Sequence, residues 1–582
     1  MQPSTDQSSG SNAMRRWGPI AAIVVVVAVV AVVVLAGGGD DEKTDEATGN
    51  GSDTTTEVTT ADGEVVYPLS FSEAEDAGIE DLDFGERCDT DTGQAKVPDF
   101  FAPECYLPFE GENGGPTATG VTEDTIKIVV YQGPDSDPII DYVTDAIQVD
   151  DTNADVQHTL NRLITYYETY HETYGRQVEI EYYVSNGIAN DATTARADAV
   201  RIAEDIKPFQ VWGGPALTEA FGDELAARQI QCLGCAGGDQ SEFEERAPYG
   251  FGLGLATEQS RAHNVEALVK QVAGGKAEYA GDTAMQDQDR VFGFLYIEVD
   301  EESANNAEAY RDALAEEGVE LAEMVPYALD PTTLQETAAS SIAKLKQAGV
   351  TTVIFAGDPV APRDFTKEAT AQEYFPEWFL NLSVLVDTNV FARTYDQEQW
   401  QHAFGLTALP ARINPEVAGS EFLYEWYFGE APKADGVIGV VTPNPSLFFS
   451  VLQEVGPNLT NETFRDAIFR LEPQPPALTS SSLSWGDQGR WPTVEGDDYQ
   501  GIDDVTKIWW DPDAEGLDEI RNEGKGLWRF VDGGTRYLST KWPEEGFKAF
   551  DEEGTSTIYD EPPAEEQTPD YEPLEPVREP QQ

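Results

Sequence analysis

Basic residues are scarce in this chain. There are 36 Lys+Arg against 108 Asp+Glu, a formal net charge of −72. Such a surface repels a phosphate backbone, which excludes nucleic acid as a partner. The acidity itself reads as a heavily hydrated, soluble surface. Histidine and cysteine are scarce as well, with four of each, and none falls at the spacing of a zinc site. A calcium loop of the EF-hand type is missing. The best string, Asp511-Pro512-Asp513-Ala514-Glu515-Gly516, puts Asn522 where the bidentate Glu belongs. The chain contains no Gly-x-Ser-x-Gly, no His-Glu-x-x-His and no P-loop. No enzyme class has a motif behind it, and no catalytic residue, metal or cofactor is expected.

What is present is a long chain of 582 residues, 40% hydrophobic. That length buries a large core and predicts two or more domains. Residues 1–16 are polar and end in Arg15-Arg16, a short cytoplasmic segment. An uncharged apolar run follows from Ile20 to Ala36, extended by Trp17, so 17–39 is read as a transmembrane anchor or a signal peptide. The arginines before it and Asp40-Asp41-Glu42 after it place the bulk of the chain outside the cell. Cleavage after Ala36 would release a secreted protein; without cleavage the chain is a single-pass membrane protein. A lipoprotein signal would need Cys where Gly38 stands. Residues 40–66 form an acidic flexible tether.

Residues 67–119 make a loop-rich extension that contains Cys88 and Cys105. Such a module gains from a crosslink, so a Cys88–Cys105 disulfide is expected. From residue 121 the pattern turns to β–α alternation. Strands are expected at 125–131, 178–185, 290–297, 321–327, 352–357, 378–386 and 402–409. Helices with one apolar face lie between them. The helix at 333–348 turns Leu334, Ala338, Ile342 and Leu345 inward. Two consecutive βα sets predict two α/β lobes with parallel sheets. The segment 551–582, with eleven acidic residues, six Pro and one Arg, is expected to be a disordered tail.

The stretch 207–251 organises the first lobe. It runs strand, Gly213-Gly214-Pro215, helix, strand, Gly-rich loop. Read alone, Gly213-Gly214-Pro215 is a tight βα turn. It also lies at the carboxyl end of a strand, where open sheets bind ligands. A helix beginning near Leu217 or Thr218 would offer free N–H groups, and Thr218 a hydroxyl, to a small anionic group. Cys232 and Cys235 have the spacing of a redox pair but span the end of a strand. A structural disulfide or two buried thiols fits that place better, and a disulfide is expected.

Several pieces together resemble a known family. Gly120-Val121-Thr122-Glu123-Asp124-Thr125-Ile126-Lys127 opens a lobe. The strand and loop at 211–218 are followed by the Gly-rich loop at 235–238. A helix and strand end in Ala356-Gly357-Asp358. Leu483-Ser484-Trp485-Gly486-Asp487-Gln488-Gly489 is followed by an aromatic strand at 505–511. Over about 84–530 the chain resembles leucine/isoleucine/valine-binding proteins, the type I periplasmic binding proteins that serve ABC importers. Cys88, Cys105 and Asn113-Gly114-Gly115 resemble the preface of longer Gram-positive members.

The resemblance implies an α/β fold of two lobes with parallel sheets and a hinge, preceded here by a single N-terminal transmembrane helix. The implied boundaries are 120–258 for the first part of lobe 1, 259–395 for lobe 2, 396–480 for the return to lobe 1, and 481–550 for closing strands. The strings 483–487 and 507–511 would form a closing pair. The implied ligand contacts are Ala216, Leu217, Thr218, Ala236, Gly237 and Gly238 on lobe 1, and Asp300, Asp358 and Ser383 on lobe 2. The implied function is an extracytoplasmic receptor that closes on a small polar solute, an amino acid, amide or urea-like molecule. It would hand the solute to a membrane permease. A ligand-sensing ectodomain working with a membrane partner, or an extracellular enzyme, are the alternatives.

Overall fold

The computed structural model describes residues 65–581, apart from 80, 135, 145–150, 216, 237, 300, 331 and 384. The apolar run Ile20 to Ala36 lies outside the described residues. Among the described residues no helix is long and apolar enough to cross a membrane.

The N-terminal extension carries a short helix, Phe71–Asp76, and a small antiparallel pair, β1 (Cys88–Asp89) with β2 (Gln94–Ala95). The Cys88–Cys105 disulfide closes it around Leu69, Ala74, Phe84 and Leu107. Arg87 pairs with Glu172 and Tyr106 donates to Glu454, so the module is docked on the first lobe.

Lobe 1 is built on β3 (Thr125–Gln132), β4 (Gln177–Val184), β5 (Gln210–Trp212), β6 (Gln231–Leu233) and β7 (Gly250–Phe251). They run parallel in the order β4-β3-β5-β6-β7. The helix Asn153–Tyr170 begins at a capping box. The Thr152 hydroxyl accepts the Asp155 N–H, and the Asp155 carboxylate accepts the Thr152 N–H. Its Val156, Leu160, Leu163 and Ile164 are buried, as their spacing predicts.

Lobe 2 repeats that plan. Its strands β8 (Phe292–Ile297), β9 (Leu321–Tyr327), β10 (Thr352–Ala356), β11 (Glu377–Asn381) and β12 (Ala403–Thr407) run parallel as β9-β8-β10-β11-β12. Counted within each lobe, both sheets have the order 2-1-3-4-5. β10 is buried along its whole length, the expected state of a parallel strand covered on both faces. An antiparallel edge then follows: β13 (Asp504–Leu517) beside β12, with β14 (Glu523–Phe530) and β15 (Arg536–Leu538) on β13.

Three boundaries differ from the sequence reading. The 396–480 segment was expected to return to lobe 1, but its β12 belongs to the lobe 2 sheet, with Trp378 opposite Ala403. A buried apolar strand reads the same whichever sheet it joins, so its partner is set in three dimensions. The strings 483–487 and 507–511 do not pair with each other. Leu483 bridges Ile502, while β13 pairs with β12 and β14. The acidic segment 551–582 is not a free tail. Ser556 exchanges backbone hydrogen bonds with Phe530, Tyr559 pairs along Ile413, and Arg578 forms an ion pair with Glu168. Its composition cannot build a core of its own, yet an extended Pro-rich strand docks on one already formed.

Three segments join the lobes, near 252–256, 408–419 and 482–503, and they lie side by side. Ile502 N–H donates to the Gly254 carbonyl, Gly252 N–H to Tyr499, and the Ser481 hydroxyl to Ala408. The helices Ser420–Phe428, Pro443–Val455 and Asn461–Ile468 complete the lobe 1 core.

Candidate functional site

Both sheets change strand direction of travel between their first and third strands, and the loops beyond those carboxyl ends meet in one cleft. On lobe 1, β5 ends in Gly213, whose φ of 75° needs a residue without a Cβ. The chain then turns through Pro215. Leu217 is tied by its N–H to the Ala189 carbonyl, and the Thr218 hydroxyl accepts the Ala220 N–H at 3.3 Å. The helix therefore begins at Ala220, not near Leu217 or Thr218, because those two residues are spent on the turn. The Ala236 carbonyl accepts from Arg246, and Cys232 and Cys235 are bonded to each other. Ala216, Gly237 and Asp300 lie outside the described residues.

On lobe 2, Asp358 follows β10 and is fully engaged. Its carboxylate accepts the Tyr327 hydroxyl at 2.7 Å and the N–H groups of Val360 and Ala361 at 2.8 and 2.9 Å. It lies two residues before the N-cap Val360 and holds the N–H groups at the start of the helix Ala361–Ala371. Burial raises its pKa, and the Tyr327 bond and the backbone bonds oppose that rise. Ser383 is buried and joins two strand ends: it accepts the Gly357 N–H and donates to the Phe355 carbonyl. Asp358 and Ser383 thus meet at Gly357, as two walls of one strand end.

The structure adds residues that the sequence reading did not name. Tyr142, on the helix Pro138–Thr144 after β3, packs against the lobe 2 core with Arg363 5.8 Å from its ring centre. Glu219, after β5, and Glu242, after β6, meet Glu302 of lobe 2, so that a carboxylate oxygen from each lies within 4.8 Å of the others. Glu219 also pairs with Arg246 at 3.1 Å. Burial and the adjoining Glu242 push the Glu219 carboxyl up to about 9. Burial and then Glu258 push Asp239 up to about 8. In a chain with 108 acidic residues no pattern marks these four. Their one sequence signal is position just after the carboxyl end of a strand or a Gly-rich loop.

No protein-family model matches this chain, and no curated protein does. Solved structures do match. They are type I periplasmic binding proteins. An ABC-transporter solute-binding protein from R. palustris, solved with 4-hydroxybenzoate, is 13% identical with a TM-score of 0.47, over 69% of this chain and 97% of that one. A possible leucine/isoleucine/valine-binding protein from Rhodopirellula baltica is 11% identical with a TM-score of 0.45, over 66% and 94%. A branched-chain amino acid transporter substrate-binding protein from Streptococcus pneumoniae, in complex with isoleucine, is 12% identical with a TM-score of 0.45, over 66% and 96%.

Proposed function

We propose that the protein is an extracytoplasmic solute-binding receptor of an ABC importer, which closes its two lobes around a small polar solute. The observation that carries the reading is the duplicated 2-1-3-4-5 sheet. Both crevices at the carboxyl ends open on one cleft, and three segments lying side by side make its hinge. The chemistry of the walls favours an amino acid, amide or urea-like molecule over a dianion, because lobe 1 brings the carboxylates Glu219 and Glu242 to the cleft. A membrane permease is the proposed partner. The proposed placement is outside the cell, held by the 17–39 helix, or secreted if the chain is cut after Ala36.

A thermal-shift screen of amino acids, amides, urea and small carboxylates tests the reading. A true solute raises the melting temperature by mass action, and small-angle scattering then shows a smaller radius of gyration. Melting and scattering that no compound changes, or turnover of a compound that binds, would remove the receptor reading. Recovery of the intact chain from cytosol would remove the placement.

A further inference from the structure

The cluster formed by Glu219, Glu242 and Glu302 has the makings of a cation site. Three carboxylate oxygens within 4.8 Å of one another fit around one ion at bond lengths of about 2.3–2.6 Å. An all-oxygen, carboxylate donor set selects calcium, magnesium or manganese rather than zinc or copper. The donors come from both lobes: two follow strands of lobe 1, and the third opens the helix Glu301–Glu316 of lobe 2.

The donors are set in place by the backbone. One oxygen of Glu242 accepts the Gly238 N–H at 2.8 Å and the Asp239 N–H at 3.0 Å. A Cβ on Gly238 would stand 2.9 Å from that oxygen and 3.5 Å from a Glu219 oxygen, so glycine keeps the space open. Two buried side chains beside the cluster carry unpaired polar atoms. Asp239 is 1% exposed, is bonded to the Thr257 side chain and feels the charges of Glu258, Glu242 and Glu302, while its Oδ1 has no hydrogen-bond partner among the described residues. Asn306, also 1% exposed, lies one helical turn beyond Glu302 on the same face. Neither of its amide atoms has a partner there.

The charges facing the cluster are Asp239, Glu258 and Arg246. The Arg246 guanidinium is shared among Glu219, Asp223 and the Ala236 carbonyl. One divalent cation would offset part of the negative charge gathered here.

We propose that Glu219, Glu242 and Glu302 bind one divalent, oxygen-preferring cation of the calcium type, which clamps lobe 2 onto lobe 1. The proposal does not depend on which organic solute, if any, enters the cleft.

Chelator-stripped full-length protein, titrated with calcium chloride in a calorimeter, tests this. One site with a dissociation constant of about 10⁻⁴–10⁻³ M is expected. Glu302→Gln and Gly238→Ala should each bind roughly tenfold or more weakly. Both should melt like the parent in chelator. No heat and no thermal shift at about ten times that concentration would overturn the site, as would unchanged binding in both variants. Calcium binding with no response to any organic compound leaves the site standing and removes the receptor reading. Closure on a solute with indifference to calcium does the reverse.

Discussion

His263 shows how one buried residue ties acid sensitivity to geometry. Its Nε2 faces the Asp503 carbonyl at 3.0 Å, and its Nδ1 accepts the Trp542 indole N–H at 3.2 Å. Only the neutral ring with its proton on Nε2 satisfies both. A second proton would set Nδ1–H against the indole N–H. Burial pulls its pKa down to about 4, and Arg536 nearby works the same way. The unfolded ring titrates near 6.5. Between pH 6.5 and 4 the unfolded chain therefore binds more protons, and stability is lost as the pH falls through that window. In urea titrations from pH 7 to 4.5, the stability of the parent relative to His263→Gln should fall as the pH falls, since the raised carboxyls are common to both. An equal slope in the variant would assign the acid sensitivity to other groups. The raised carboxyls Glu219 and Asp239 have the opposite sign, since the folded state holds their protons longer and stability falls as the pH rises from about 4 toward 8 or 9.

At the scale of elements, two devices are open to test. Asp358 holds the start of the helix Ala361–Ala371 and a buried tyrosine hydroxyl at once. Asp358→Ala leaves those donors unpaired and should destabilise lobe 2 by about 2–4 kcal/mol in urea unfolding. Undiminished stability together with a loss of solute affinity would make Asp358 a ligand group instead. The second device is the Cys88–Cys105 bond, which closes a separation of 17 residues. Its removal by Cys88→Ser with Cys105→Ser should cost about 3 kcal/mol on loop entropy. The loss should show as earlier proteolysis near 80–110, while lobe 2, which shares no core with this module, keeps its melting behaviour.

For the whole molecule, the acidic C-terminal segment acts as a strap over both lobes and the hinge. It leaves β14 through Ser556, passes Arg412 and Asn414 at Tyr559, and accepts the Leu478 N–H on Glu566. It then reaches lobe 1. There the Leu574 N–H donates to the Tyr170 hydroxyl, while Tyr571 donates to Asp89 of the N-terminal extension. The Gln581 side chain pairs with the Ile180 backbone. A chain ended after Asp560 should melt several degrees lower and, without solute, scatter as a more open particle. Identical melting and scattering would show that the strap does not restrain the lobes.

The sequence alone determined the alternation of elements, the inward faces and the two-lobed plan, because these rest on local periodicity. Leu334, Ala338, Ile342 and Leu345 are all buried where their spacing put them. It also determined the places where the loops beyond β5 and β6 begin, since Gly213-Gly214-Pro215 and the loop at 235–238 are local turns. Three things were decided only in three dimensions. One is which sheet β12 joins, since an apolar strand carries no mark of its partner. Another is that an acidic, Pro-rich segment lies docked, since docking needs a surface made elsewhere. The last is that Glu219, Glu242 and Glu302 come together out of 108 acids. Their meeting brings Glu302 to Glu219 and Glu242, which lie 60 and more positions before it in the chain, through two sheets of the same order.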